Sequence, residues 1–150
     1  MNYLSRREHS QHELRYKLAR HNYSAEDIDV ELQRLFDDGL QSDARFVEHY
    51  LHVKMLAGYG PRYIEQQLQQ RGVSVDLIAH ALQAISSWGL VLQRVWSKKY
   101  RTLPGSPQEQ AKQRRFLLSR GFEPYDISQL IKQLNQNDRL RVMNDEALDE

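Results

Sequence analysis

A short pattern recurs three times in this chain at nearly constant spacing, and each copy reads as the junction between two helices. The copies are Leu18-Ala-Arg-His-Asn22-Tyr23-Ser24, Leu68-Gln-Gln-Arg71-Gly72-Val73-Ser74 and Leu117-Leu-Ser-Arg120-Gly121-Phe122-Glu123. Each is followed by an apolar pair one helical turn apart: Ile28 and Leu32, Ile78 and Leu82, Ile127 and Ile131. Gly72 lies 50 residues after Asn22, and Gly121 lies 49 after Gly72. A fixed period of this size marks a modular repeat protein, which works through an extended surface rather than one deep pocket.

The residue after a helix often turns left-handed, a conformation that glycine and, less well, asparagine adopt cheaply. Asn22, Gly72 and Gly121 are therefore predicted to be left-handed helix stops. An apolar residue follows each of them (Tyr23, Val73, Phe122), and Ser24, Ser74 and Pro124 then suit the start of a new helix. Other starts read the same way. Ser10-Gln-His-Glu13 is a capping box, Gly60-Pro61 puts proline in a first turn, and Ser106-Pro107-Gln-Glu109 combines a cap with an N1 proline. Asp43 after Ser42 opens a helix through Met55, and another runs from Trp88 to about Tyr100.

Apolar residues recur at helical spacing, and no stretch alternates as a strand does. The fold class is therefore all-α. The helices group into three tandem, helix-turn-helix-like triplets: residues 1–39, with a short opening helix to Glu8, then 40–85 and 86–134. Residues 135–150 are expected to be a polar, acidic, mobile tail, because Asn-Gln-Asn-Asp interrupts the pattern after Leu134. A short helix over Glu146-Ala-Leu148 is the one further element there.

Composition narrows the function. Among 150 residues there is no cysteine, so disulfides and thiolate chemistry are excluded. No apolar run approaches a membrane span and the first residues are not a secretory signal, so a cytoplasmic protein is expected. Mean hydropathy is −0.74, which suits a thin-cored array. The net charge of +1 conceals segregation. Glu26, Asp27, Asp29, Glu31, Asp37, Asp38, Asp43 and Glu48 form an acidic block, offset only by Arg34, Arg45 and Lys54. Arg94, Lys98, Lys99, Arg101, Lys112, Arg114, Arg115 and Arg120 make residues 91–121 basic, which implies partners reached by electrostatic steering. Arg120 also suits the capping of its own helix end.

Catalytic signatures are missing. Gly58-Tyr-Gly60-Pro61-Arg62 lacks the lysine and hydroxyl of a phosphate cradle. His9 with His12, and His49 with His52, have metal-compatible spacing but no cysteine or carboxylate set, and read as surface histidines. Asp37-Asp38 reads as solvated. The chain is expected to be no enzyme and to hold no metal or cofactor.

Three stretches carry a resemblance to a known family. They are Arg7-Glu8-His9-Ser10-Gln-His-Glu13-Leu14-Arg15-Tyr-Lys17-Leu18; Ser42-Asp43-Ala-Arg45-Phe46-Val47, continuing to Gly58-Tyr59-Gly60-Pro61-Arg62-Tyr-Ile64, Leu68 and Arg71-Gly72-Val73; and Lys112-Gln-Arg114-Arg115-Phe116-Leu117-Leu118-Ser-Arg120-Gly121-Phe122. In this order and spacing they resemble the RecX family, bacterial regulators of the RecA recombinase. The resemblance implies three tandem three-helix repeats in an elongated, curved array. It also implies binding to the RecA–single-stranded-DNA filament and inhibition of RecA ATP hydrolysis, strand exchange and co-protease activity, by limiting filament growth or promoting disassembly. DNA recombination, repair and the SOS response are the implied setting. Some members also bind DNA; here Lys54-Met55-Leu56-Ala57 is less basic than is usual before the glycine turn, so the third repeat is the better basic surface. The expected partner-binding residues are Lys98, Lys99, Arg101, Lys112, Arg114, Arg115, Arg62, Arg15 and Lys17, on a monomer. The rival reading is a direct nucleic-acid-binding helical module, against which the near-neutral net charge argues.

Overall fold

In the computed structural model, which describes residues 7–148, eight helices and no strand form. They are α1 (Gln11–Arg20), α2 (Ala25–Asp37), α3 (Asp43–Leu56), α4 (Pro61–Gln70), α5 (Val75–Gln83), α6 (Trp88–Tyr100), α7 (Pro107–Ser119) and α8 (Pro124–Leu148). The short opening helix expected before Glu8 falls largely outside the described residues. Serine opens six of these helices. Ser10, Ser24, Ser42, Ser74, Ser87 and Ser106 each accept a hydrogen bond from the amide three residues on, which satisfies one of the orphan donors of a first turn.

The helices close into two compact units. One holds the described residues up to Ala57 together with Ile64–Ser86; the other holds Gly58–Tyr63 and the chain from Ser87 onward. The first unit contains the buried cluster Leu14, Leu18, Ile28, Leu32 and Leu35, where α1 packs on α2. Burying each of these side chains contributes about 1.5–3 kcal/mol. In the second unit α8 packs on α6 and α7, with Phe122, Ile127, Leu92 and Leu117 at its centre.

The helix stops are built alike. At the end of α4, Val73 N donates to Leu68 O and Gly72 N to Gln69 O; at the end of α7, Phe122 N donates to Leu117 O and Gly121 N to Leu118 O. These are paired closures around a left-handed residue, with φ +74° at Gly72 and +91° at Gly121; Asn22 (φ +64°) keeps the shorter bond, from its N to Ala19 O. Gly39 (φ +70°) ends α2 with the same bonds, Leu40 N to Leu35 O and Gly39 N to Phe36 O.

Two of these stops dock on the starts of other helices. In the first unit, Ser10 Oγ at the head of α1 donates to Arg71 O at the end of α4, 2.8 Å away. In the second, Gly60 N and Arg62 N at the head of α4 donate to Arg120 O (2.7 Å) and Gly121 O (2.9 Å) at the end of α7. The carbonyls of a helix stop thus take a donor from a helix start, a cap hydroxyl in the first unit and backbone amides in the second, positive dipole end against negative. The approach is close. A Cβ on Gly72 would lie 2.5 Å from the His12 Cβ, one on Gly121 would lie 2.5 Å from the Tyr63 Cβ, and one on Gly60 would lie 2.7 Å from Gly121 backbone.

Polar side chains secure the head of α1. Gln11 N donates to Asp43 Oδ1 (2.8 Å), Arg7 pairs with Glu13 (2.8 Å) and Arg45 with Glu8 (2.6 Å). His9 is only 2% exposed, which corrects its reading as a surface histidine. Its Nδ1 lies 3.0 Å from Arg7 O and its Nε2 2.9 Å from Lys17 Nζ. A carbonyl only accepts and an ammonium only donates, so the neutral ring with its proton on Nδ1 satisfies both. Spacing missed this because the fold sets the ring between Arg7 O and Lys17 Nζ, which the i, i+3 pairing with His12 does not encode.

A second correction concerns the C-terminus. The helical pattern was expected to break after Leu134, yet α8 runs to Leu148. Neither glycine nor proline occurs after Pro124, and Asn135 and Asn137 cost a helix only about 0.7 kcal/mol each. Once the packed turns around Ile127 and Leu130 are formed, each further residue adds a hydrogen bond without new nucleation. The extension is exposed and carries Leu140, Val142, Met143 and Leu148 uncovered.

Two outcomes follow for stability. Gly39 has positive φ but open space around a Cβ, whereas Gly72 has positive φ and no space. Denaturant titration should show Gly39→Ala costing about 1 kcal/mol, from backbone strain alone. Gly72→Ala should cost about 2 kcal/mol or more, because the α1–α4 joint must also open. Equal costs would mean that the close approach contributes nothing.

Burial, and then the neighbouring Arg7 and Lys17, hold the His9 pKa below its ordinary value of 6.5, against a partial counteraction by Glu13. The folded state therefore binds fewer protons than the unfolded chain just below pH 6.5, and stability falls as pH drops through that window. His9→Asn should flatten this loss in melts recorded between about pH 7.5 and 5; an unchanged slope would remove His9 as its source.

Candidate partner-binding face

The expected contact residues divide between the two units. Lys98, Lys99, Arg101, Lys112, Arg114, Arg115 and Arg62 belong to the second unit, and Arg15 and Lys17 to the first.

The second unit gathers cations around aromatic rings. The Trp96 indole is buried, and its Nε1 donates to Gln113 Oε1 at 2.9 Å, tying α6 to α7. Beside that tie, Tyr100 meets Phe116 edge-on with ring centroids 5.9 Å apart. Lys99 Nζ sits 4.0 Å from the Phe116 centroid. Arg120 Cζ lies 5.1 Å from Phe116 and 4.8 Å from Tyr59, and Tyr59 stacks on Tyr63 at 4.0 Å. The result is an unbroken ladder, Lys99–Phe116–Arg120–Tyr59–Tyr63, of half-buried rings with cations between them. Each cation–ring contact is worth about 0.5–1 kcal/mol at such exposure. Arg120 thus links aromatic rings as well as ending α7. Burial also raises the Tyr100 pKa, so this hydroxyl stays protonated at neutral pH.

The remaining basic residues differ in availability. Lys98 and Lys99 lie in the last turn of α6, where cations complement the helix dipole. Along α6, Leu90, Gln93, Arg94, Ser97 and Lys98 line a shallow groove, with Leu90 55% exposed. Arg101 follows at φ +42°, with Thr102 N donating to Tyr100 O. A non-glycine residue held there costs about 1 kcal/mol or more. On α7, Lys112 and Arg115 are exposed one turn apart, while Arg114 is half-buried and donates from Nη2 to Ser128 Oγ of α8 at 3.2 Å.

Arg62 is exposed but lies 3.6 Å from Glu123. In the first unit Arg15 pairs with Asp29 at 2.7 Å, and Lys17 donates to His9. These three and Arg114 therefore do internal work, and Lys99 lies over the Phe116 ring, leaving Lys98, Arg101, Lys112 and Arg115 as the open cations. Sequence reasoning missed the role of Arg120 and omitted Tyr59, Tyr63 and Phe116. The Tyr59–Tyr63 pair at i, i+4 was a local signal. The contact of Arg120 with Tyr59 was not, because it depends on α7 ending against the head of α4.

No single helix among the described residues is long and apolar enough to cross a membrane, and no group of three His, Cys, Asp or Glu side chains there converges as a metal site would require.

Comparison with known proteins shows the family of the chain. Three family models match in succession: the RecX first three-helix domain over residues 1–35, the second over 42–82 and the third over 91–131. The regulatory protein RecX of Legionella pneumophila (strain Corby) is 41% identical over 139 residues, spanning 89% of this chain and 91% of the relative. That of Pseudomonas putida (strain W619) is 40% identical over 129 residues, covering 85% and 82%. A crystal structure of RecX from Lactobacillus salivarius superposes with a TM-score of 0.74 at 25% identity, covering 90% of this chain and 91% of the other. With three domain models in order and relatives at this identity across most of their length, the chain belongs to the RecX family of regulatory proteins.

Proposed function

We propose that this chain regulates the RecA recombinase by binding the RecA–single-stranded-DNA filament. It lowers RecA ATP hydrolysis, strand exchange and co-protease activity by limiting filament growth or promoting disassembly. It acts as a cytoplasmic monomer, and it is a binder rather than an enzyme. The observation that carries this reading is the match of all three family domains along one chain. Repeated modules sum modest contacts across several subunits of a polymer, which no single module sustains. The open cations Lys98, Arg101, Lys112 and Arg115, with Lys99 on the Phe116 ring beside them, suit acidic protein surface or DNA phosphates, and the exposed acidic side chains of α2 suit basic protein loops.

The test is RecA's DNA-dependent ATPase. The chain should suppress it at less than one molecule per RecA monomer, because one bound molecule affects many neighbours, and should hydrolyse no nucleotide alone. Suppression should survive an excess of single-stranded DNA. Full relief by that excess would instead favour the direct nucleic-acid-binding module.

Charge reversal tests the surface. Lys112→Glu with Arg115→Glu spares the Arg114–Ser128 bond, so the fold should hold. Filament affinity should fall about tenfold, and its salt dependence should flatten. Unchanged affinity across a salt titration would place the contact elsewhere.

A further inference from the structure

Two shallow grooves on the outer faces of helices are lined alike. On α2, Val30, Gln33, Arg34, Asp37 and Asp38, with Asp29 beside them, line one. On α6, Leu90, Gln93, Arg94, Ser97 and Lys98 line the other. Both sets follow i, i+3, i+4, i+7 and i+8, which is two turns of one helix face. Each begins with an uncovered aliphatic side chain: Val30 is 71% exposed and Leu90 55%.

The charges of the two faces are opposite. Three carboxylates line the α2 groove against one guanidinium, and that guanidinium, Arg34, is held by Glu31 at 2.7 Å and Asp38 at 3.2 Å. Arg15 offsets Asp29 at 2.7 Å, while Asp37 accepts only from the uncharged Gln33, at 2.8 Å. Arg94 and Lys98 line the α6 groove, and no carboxylate does. Set side by side in the same direction, the faces put Leu90 on Val30 and lay the cations along Asp37 and Asp38.

We propose that α2 of one copy docks on α6 of the next when copies sit on a shared polymer, so that one bound molecule recruits another. This rests on the filament reading above. Sites on a helical filament are related by a screw, so neighbours meet through two different patches, as α2 and α6 are, and such a contact repeats without closing on itself. The contact is weak alone. Exposed ion pairs are worth about 1 kcal/mol at most, and two helical turns a side do not supply the roughly 1,600 Å² of a standard interface. Free copies therefore stay monomeric, whereas neighbours on a filament meet at an effective concentration of about millimolar. Lys98, at the far end of the groove, borders on the cations assigned to the filament itself, so Leu90 and Arg94 carry the neighbour contact.

Energy transfer between labelled copies tests this. Full-length copies carrying a donor dye are mixed with copies carrying an acceptor, on RecA–single-stranded-DNA filaments held by a slowly hydrolysed ATP analogue and covered far below saturation. Transfer should exceed the level of random placement. Leu90→Glu should lower it to that level. Position 90 lies three residues after the Ser87 cap, where glutamate suits a helix start, so the fold should hold. Val30→Lys should also lower transfer to the random level. The two substitutions combined reverse the pairing and should restore it. Circular dichroism melts establish that each variant is folded, and co-sedimentation of the same samples reads total binding. If the native chain does not co-sediment with filaments, the filament reading falls and this contact falls with it. If it binds but transfers only at the random level, the neighbour contact alone is overturned. Native transfer in folded Leu90→Glu, or no recovery in the combined variant, overturns it equally.

Discussion

The structure depends on one contact: the end of a helix set against the beginning of another. Every helix leaves carbonyls unpaired at its end and amides unpaired at its start. In most proteins water or side chains satisfy them separately. Here Arg120 O and Gly121 O receive the amides Gly60 N and Arg62 N, so the two deficits cancel directly, while Arg71 O receives the hydroxyl of the N-cap residue Ser10. The joint occurs once in each compact unit. In both it connects residues roughly sixty positions apart in the chain, such as Ser10 with Arg71 and Gly60 with Arg120.

The same contact accounts for residue types that look incidental. Glycine is needed at positions 72 and 121 for two reasons, positive φ and the absence of a Cβ. Asn22, outside any such joint among the described residues, answers only the first. The joint also shapes the surface. Because α7 ends against the head of α4, Arg120 reaches Tyr59, and the rings of Phe116, Tyr59 and Tyr63 form one ladder with Lys99 and Arg120. The neighbouring cations Lys112, Arg115 and Lys98 therefore stand beside a braced aromatic support.

Much of this was legible in the chain itself. Helix heads were marked by Ser10, Ser24, Ser74 and Ser106, and stops by Asn22, Gly72 and Gly121, because capping is a local affair of two or three residues. The basic stretch was legible as a list of residues but not as a site. Arg15, Lys17, Arg62 and Arg114 read like the other cations, and only tertiary packing gives them Asp29, His9, Glu123 and Ser128 as partners. His9 read as a surface residue for the same reason. The run Asn135 to Asp138 looked like a helix break, yet helix propagation carries α8 through it.

The sequence by itself determined the all-α class, the threefold repeat and the family, since these rest on periodicity, caps and ordered motifs that lie within a few residues of each other. Tertiary structure alone decided which stop meets which head, which cations are free, and why position 22 tolerates a side chain that positions 72 and 121 do not. Those outcomes depend on the space left between elements about sixty residues apart in the chain. The presence or absence of a Cβ within 3 Å of a neighbour is invisible until the neighbour is in place.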